Sequence, residues 1–551
     1  MMLNGPLQHG SDVTATAHFL TGFKKALGEG DLYPRWTDRT NRDLGAPSFV
    51  MYPPLTFYGA SLCAWIAGSI TGGLKLYLFV VAGLTALSCY ALARELIGPG
   101  LPATVAAAAY VLLPYHVLDV YQRFALSETT AFIYFPLIVL FARRTMDRGR
   151  GWHMAGLALS YAALVATHLV SGFFFSLFLG PWLMWEARRR WGALLPVTVA
   201  LACGLALSAP ALLPAVLEKG AVNIAWQTQM PNGDVRINFI FKDDVLPGLG
   251  FKDPVKPPVL RSAHTQLLLA GVGLVIALAS RRRGDPRWRQ DAVIMAAGCG
   301  LAYLMQLELS LPVWLAVPEL ATIQFPWRLQ AVMVLTGSLL AGFASAAVTG
   351  PGSLRGGAKT LALTALGLCL LLNLALSARI AYLKPFTFDE KAANDLTTAT
   401  WVEPASTPVQ FRDYRTFRST QVDMPRAVFL TGQGTATVSR WLSSRRVLDI
   451  ESDSGGSVAL RSFYFPGWTA RLDGAPLAVR PHPPLAVVAF DVPQGRHTVE
   501  LWLEPSPLRR WSWAVCVAGL AATVLMGGPW LKPRAGVASP PRAAHAAARR
   551  R

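Results

Sequence analysis

Asp12 and His18 stand six residues apart in "HGSDVTATAHF", residues 9–19 of a 551-residue chain. A carboxylate in a partly desolvated cleft gains basicity and can take the proton of an attacking hydroxyl, so Asp12 is a candidate general base with His18 beside it at the substrate. The alternative is a helix-capping Asp with a surface His. The stretch that follows, "GDLYPRWTDRTNRDLGAPSFVMYPPLTFYG" (30–59), is dense in Pro, Arg, Asp and aromatic residues. Within it, Arg35 and Trp36 set a cation beside an aromatic ring and can bind an anionic, ring-bearing substrate or serve as interfacial anchors.

The elements that must carry these residues are mostly apolar. The chain is 53% hydrophobic and 15% charged with a mean hydropathy of +0.37, which indicates a polytopic α-helical membrane protein. A spanning helix needs about 20 apolar residues. Runs that meet or approach this lie near 75–97, 102–119, 128–144, 152–167, 171–186, 195–216, 264–280, 291–306, 327–349, 360–379 and 511–531, about eleven spans. The six cysteines all fall inside apolar runs and read as small core residues. The net charge of +19 sits in Arg clusters between runs, which is the pattern of positive-inside bias and not of nucleic-acid binding.

Those clusters also orient the chain. Arg143, Arg144, Arg148 and Arg150 follow the third run, Arg188 to Arg190 the fifth, and Arg281 to Arg283, Arg287 and Arg289 the seventh, while the tail carries Arg542 and Arg549 to Arg551. Simple alternation puts them all on one side, expected to be cytoplasmic. The expected organisation is then a first extracytoplasmic loop with juxtamembrane helices (1–74), a helical membrane domain (75–379), an extracytoplasmic β-sandwich (380–510), a final span (511–531) and a basic cytoplasmic tail (532–551). The run 54–72, entered through Pro53 and Pro54, is read as an interfacial helix. The chain thus opens outside the membrane without a preceding span, and reads as lacking its first one.

The sandwich rests on period-two segments: "RAVFLTG", "ATVSRWL", "RRVLDIES", "GSVALRSFYF", "TARLDG", "LAVVAFDV" and "RHTVELWLE". Asp473-Gly474 marks one hairpin, and "PQGRHTVEL", with Gly495, is read as another. No catalytic constellation stands out there, so a structural or carbohydrate-contacting module is expected.

An acidic residue in the first outer loop, then "LYPRW", then "YPPLTFY" ahead of a juxtamembrane helix, then many spans, resembles the GT-C superfamily of polyprenyl-phosphate-sugar glycosyltransferases. More narrowly, the chain is similar to bacterial YfhO-like proteins and to the membrane proteins labelled 6-pyruvoyl-tetrahydropterin-synthase-related, a label that implies no pterin chemistry. "YQRFALSETTAFIYFPLIVL" (Arg123, Glu128), "THLVSG" (His168), "QFPWRL" (Gln324 to Leu329), "FPGWTARLDGAPL" and "VPQGRHTVEL" carry the likeness across nearly the whole chain. Members of these families usually open with a transmembrane helix that delivers the catalytic Asp, and this sequence departs from that pattern.

The resemblance implies an inverting transfer, in which an acceptor hydroxyl attacks the anomeric carbon of a sugar carried on a polyprenyl phosphate. Asp12 is then the base and Arg328, at the outer end of the ninth run, the cation for the phosphate, with Gln324 adding a hydrogen bond. A snorkelling Arg is the alternative for Arg328. Arg123 and Glu128 are substrate-binding candidates with a simple ion pair as their rival. His168 binds sugar or phosphate, or else makes a helix contact. The implied partners are a polyprenyl-phosphate-linked sugar, a glycan or lipid acceptor of the cell envelope and membrane lipids, at the bacterial cytoplasmic (inner) membrane.

No His/Cys cluster has ligand spacing and no DxD signature occurs in the outer loops, so no tightly held metal is expected. A weakly bound Mg²⁺ between carboxylates and phosphate is the one cation compatible with the pattern. The absence of a phosphate-cradling glycine loop disfavours a nucleotide-driven pump. The competing functions are a transporter or flippase of lipid-linked saccharide and a non-catalytic glycan-binding scaffold. Transporters usually show repeated halves with broken helices, and no such repeat is visible here.

Overall fold

The computed structural model describes residues 12–149, 151–223, 233–241, 255–280, 286–350, 352–382, 407–409, 411 and 424–528. The expectations for 1–11, for much of the loops at 217–263 and 380–423, and for the basic tail fall outside the described residues.

Helix α1 (Val13–Gly28) leads through the Pro-rich stretch to α2 (Leu55–Ala67). At 13 residues α2 is about 20 Å long, shorter than a hydrocarbon core. Gly68, in the left-handed region at φ 70°, ends it. The helices that follow are α3 (Ile70–Leu96), α4 (Leu101–Arg123), α5 (Leu126–Arg148), α6 (Gly151–Thr167), α7 (Leu169–Ala187), α8 (Leu194–Leu207), α9 (Ala209–Leu217), α10 (Lys256–Ala279), α11 (Pro286–Leu304), α12 (Leu311–Ala316), α13 (Pro326–Thr349) and α14 (Gly356–Ala381). After the sandwich comes α15 (Pro507–Gly527).

Among the described residues eight helices are long and apolar enough to cross a membrane, or ten if each of two bent pairs is one span. The sequence suggested eleven straight runs. The run at 152–167 forms α6, of 17 residues. The run at 195–216 bends by 73° between α8 and α9, at Ser208 ahead of Pro210, whose ring removes a helical N–H. The run at 291–306 is followed by an 87° bend into Glu308–Ala316.

Helix α13 is the axis of the bundle, with its apolar window fully enclosed by protein. Its small residues, Gly337, Ser338, Ala341, Gly342, Ala344, Ser345, Ala346 and Ala347, let α4, α10 and α11 close on it. A Cβ added at Gly342 would lie 2.9 Å from the Ala106 Cβ and 3.0 Å from the Pro102 carbonyl, both on α4, so the two helices would have to shift apart.

The carboxy-terminal strands form two antiparallel sheets, β1–β4–β8–β7 and β2–β3–β9–β5–β6. They are β1 (Ala427–Thr431), β2 (Gly434–Trp441), β3 (Arg445–Ser452), β4 (Gly456–Phe463), β5 (Trp468–Leu472), β6 (Ala475–Leu477), β7 (Arg480–His482), β8 (Val487–Val492) and β9 (Gly495–Leu503). Alternation buries Leu448, Ile450, Val499 and Leu501 from one sheet against Val458, Leu460, Val488 and Phe490 from the other. Asp473 and Gly474 both take positive φ and close the β5–β6 hairpin as expected. The turn at Gly495 is different, because β8 and β9 lie in different sheets: it is a sheet-to-sheet crossing and not a hairpin.

The Pro-rich stretch docks on this sandwich. Trp36, Leu44 and Val50 belong to its core cluster, and the Leu44 carbonyl accepts from the Phe463 N–H at 2.6 Å. Gly45, at φ +78°, lies so close to the Trp36 indole that a Cβ there would come within 2.5 Å of the ring.

Candidate functional site

At the sandwich end of α4 the helix does not simply stop. Residues Asp119–Arg123 form a π-turn, Phe124 enters the left-handed region at φ 57°, and α5 begins at Leu126. A π-turn re-aims side chains relative to an ordinary helix and recurs at functional positions. Here it folds Asp119, Arg123 and Glu128 onto one another.

Arg123 is almost completely enclosed. Its Nη1 donates to Asp119, to Glu128 Oε2 at 2.8 Å and to the Tyr115 hydroxyl at 3.3 Å. Its guanidinium also lies over the Trp327 ring at 4.7 Å. Tyr115 in turn donates to Glu128 Oε1 at 2.7 Å. Arg328 approaches from the start of α13, with Nε 3.5 Å from Glu128 Oε2, while Nη1 donates to the Ile323 carbonyl at 2.9 Å. The Glu128 carboxylate is therefore held between two guanidinium groups and a phenol. The cluster holds two acids and two bases under an aromatic roof, in surroundings where an isolated charge would be costly.

Asp12 joins this corner through the backbone: its N–H donates to the Arg123 carbonyl at 2.8 Å. The Asp12 side chain is exposed, and it interacts electrostatically with both Arg123 and Tyr52. Tyr52 also feels Arg328 and Glu128, so Asp12 and Arg328 flank the same phenol. His168, in the break between α6 and α7, lies within electrostatic reach of Glu128, Arg328 and Arg123, and its Nδ1 contacts Ser171 Oγ at 2.7 Å. Burial pushes its imidazole down to about 4, so it is neutral at ordinary pH.

The other sequence candidates lie elsewhere. Gln324 is buried in the turn before Arg328, at φ +62°, and its carbonyl accepts from Asn238 at 3.2 Å. His18 is half-buried on α1 beside Arg39, and burial, with help from that guanidinium, lowers its pKa. Arg35 donates to the Pro210 carbonyl at 3.2 Å and covers the Tyr33 ring at 4.3 Å, near Glu218 and Arg509. Trp36, 1% exposed, packs edge-on to Trp468 with centroids 5.3 Å apart, which is a core position and not a sugar platform. Asp119 and Tyr115 are cluster members that the sequence motifs do not single out. The available signal was an acid ending an apolar run four residues before an Arg, since a buried carboxylate there is expensive without a partner. Among the described residues no group of three or more His, Cys, Asp or Glu is placed to hold a metal ion.

The sequence has no match among curated proteins. Solved structures resemble it in part. The arabinofuranosyltransferase AftD from Mycobacteria matches at 14% identity and a TM-score of 0.41, over 67% of this chain and 26% of that one. The Archaeoglobus fulgidus oligosaccharyltransferase matches at 14% and 0.42, over 70% and 51%. ArnT from Cupriavidus metallidurans bound to undecaprenyl phosphate matches at 14% and 0.31, over 63% and 76%. The chain thus spans about a quarter and about half the length of the first two, and likenesses this slight carry no argument about its activity. A family model described as "6-pyruvoyl-tetrahydropterin synthase related domain; membrane protein" matches residues 49–373, more than half of the chain and including the whole Asp119–Arg328 cluster, and the protein therefore belongs to that family of membrane proteins.

Proposed function

We propose that the protein is a membrane glycosyltransferase of GT-C type, which moves a sugar from a polyprenyl-phosphate donor to a cell-envelope glycan or lipid acceptor on the outer face of the bacterial cytoplasmic membrane. One observation carries this reading: the Asp12 N–H on the Arg123 carbonyl brings the candidate base to the corner that also holds Arg328. An exposed carboxylate beside buried cations suits a reaction in which acid and phosphate must meet across one anomeric carbon.

In the proposed step the acceptor oxygen forms a bond to the anomeric carbon as the bond from that carbon to the phosphate oxygen breaks, with inversion. The acceptor proton passes to Asp12, and the lipid phosphate leaves with its electron pair, its charge met by Arg328. Arg123 stays fixed by Asp119, Glu128 and Tyr115 and supplies a second positive field. Neutral His168 stands beside the cluster, within electrostatic reach of Glu128, Arg328 and Arg123. No metal enters the proposed step, and a loosely shared Mg²⁺ at the donor phosphate is the one cation the chemistry would accept.

Asp12→Asn should lower transfer from a radiolabelled polyprenyl-phosphate sugar by about 10²- to 10⁴-fold while leaving donor binding and folding unchanged, because the side chain is exposed. Full turnover in this variant would sink the assignment. A transporter of lipid-linked saccharide is the second reading, favoured by the two bent helix pairs, since transport sites are commonly built on discontinuous helices. It predicts that lipid movement survives Asp12→Asn. Cysteine at Ser454, exposed on the sandwich, should be labelled only from outside the cell.

A further inference from the structure

The proposed step gives Asp119 only a hold on Arg123, made through one of its two carboxylate oxygens. Asp119 is 0% exposed. One oxygen receives Arg123, and the other, Oδ2, is buried without a hydrogen-bond partner among the described residues. A half-satisfied buried carboxylate is costly, and a purely structural pair would normally satisfy both oxygens.

The charges make the point sharper. The buried groups facing Asp119 are Arg123 from its own turn, Glu128 from α5, Arg328 from α13 and the phenol of Tyr115. Helix α14, which packs on the same turn, buries Asn373 and Ser377 and no charged side chain. Two guanidinium groups and two carboxylates sum to zero within the enclosed group, and the exposed carboxylate of Asp12, beside Arg123, adds one negative charge at its edge. A lipid phosphodiester arriving at Arg328 adds one negative charge to this neutral, enclosed group, and neighbouring carboxylates then repel it and one another. Glu128 is already bound on both oxygens by Tyr115, Arg123 and Arg328, whereas Asp119 has an oxygen free to carry a proton.

We infer that binding of the lipid phosphate is coupled to uptake of one proton from solvent, and that Asp119 Oδ2 receives it. This rests on the reading of Arg328 as the phosphate cation. The proton restores neutrality to the occupied cluster and cancels the charge of Asp119, so that Arg123, still held by Glu128 and Tyr115, presents more of its positive field to the phosphate. Departure of the lipid phosphate releases the proton again, so Asp119 is a positioning residue acting through Arg123 and not a catalytic one.

The test uses the full-length protein in detergent and farnesyl methyl phosphate, a phosphodiester that does not itself titrate near neutrality. Calorimetry at pH 7 in buffers of different ionisation enthalpy should give about one proton taken up per molecule bound, and the dissociation constant should rise as pH rises, by up to about tenfold per unit. Asp119→Asn should bind without proton uptake, with a dissociation constant flat between pH 6 and 8 and below that of the native protein at pH 8. A merely structural role for Asp119 does not produce such a gain. Binding without uptake in the native protein overturns the coupling and leaves the phosphate reading standing, and it needs no variant to fold. Uptake that survives Asp119→Asn but disappears in Glu128→Gln overturns the assignment to Asp119. No binding by the native protein overturns the phosphate reading and the coupling with it.

Discussion

The helices are tied together by charge at both ends, in two different ways. At the end opposite the sandwich, Glu95 of α3 accepts from Arg144 at 2.7 Å and also receives Arg148, both from α5. Asp147 of α5 meets Arg287 at 2.7 Å and Arg190 at 3.3 Å, and Arg143 reaches Asp291 at 2.6 Å. Several of these arginines are about half exposed, at 45% for Arg148, 52% for Arg190 and 55% for Arg287. The partners come from different helices, the carboxylates are shared, and the arrangement is a clasp across the bundle. At the sandwich end the charges are enclosed, three of them come from ten consecutive residues, and one acid has an oxygen without a partner. The clasp combines exposed links of low individual worth with one enclosed pair, Arg143–Asp291, whereas an enclosed, half-satisfied group costs stability, which fits the role proposed for it.

This contrast breaks if both clusters respond alike to mutation. The largest effect is expected from Arg328→Lys, which keeps the charge but loses the planar fork. Transfer should drop by about 100-fold with the melting temperature nearly unchanged, as read by a radiolabelled-donor assay beside thermal unfolding. The reverse result is expected at the other end. Asp291→Ala leaves the buried Arg143 with only distant partners and should cost about 3 kcal/mol in stability, while turnover per folded molecule stays within about twofold. If Asp291→Ala instead removed activity at full stability, the division of labour would be wrong.

A smaller effect sharpens the picture at the docked loop. Burial pushes the Asp43 carboxyl up to about 6, against the opposing pull of Arg461 and Arg39. A folded-state value above the unfolded one means that the contribution of this group is present at low pH and is lost as pH rises from about 4 to about 6. Asp43→Asn should therefore flatten that part of the stability profile and gain about 1 to 2 kcal/mol at pH 7, discounted for partial exposure, as measured by unfolding at a series of pH values. Least of all, Arg190→Ala should change stability by less than about 1 kcal/mol, and added salt should erase the difference.

Much of this arrangement could be read from residue order. Period-two runs announced seven of the nine strands, and β6 and β7 escaped because three residues are too few to show alternation. Arg123, Glu128 and Arg328 lie in the motifs that carry the family resemblance, "YQRFALSETTAFIYFPLIVL" and "QFPWRL". Asp119 does not, since it counts as the last residue of the run 102–119, and its pairing depends on a π-turn that no pattern announces. Trp36 and Arg35 misled for a related reason: aromatic and basic residues near a bilayer look like anchors, and only the docking of the sandwich shows one as core and the other as a tie to the α8–α9 bend.

Composition and periodicity, acting within a turn or two of chain, determined that this is a bundle of apolar helices followed by a sandwich, with arginines gathered between the helices. Local pattern could carry that much because the burial of apolar surface and the satisfaction of backbone hydrogen bonds are decided residue by residue along each element. Tertiary structure alone decided that Arg328 meets Glu128 across 200 positions of sequence, that Asp12 reaches the same corner through one backbone hydrogen bond, and that Asp119 is sealed with one oxygen unbound. Those pairings follow from how helices pack around α13, and the electrostatics of a site depends on distances that sequence spacing does not contain.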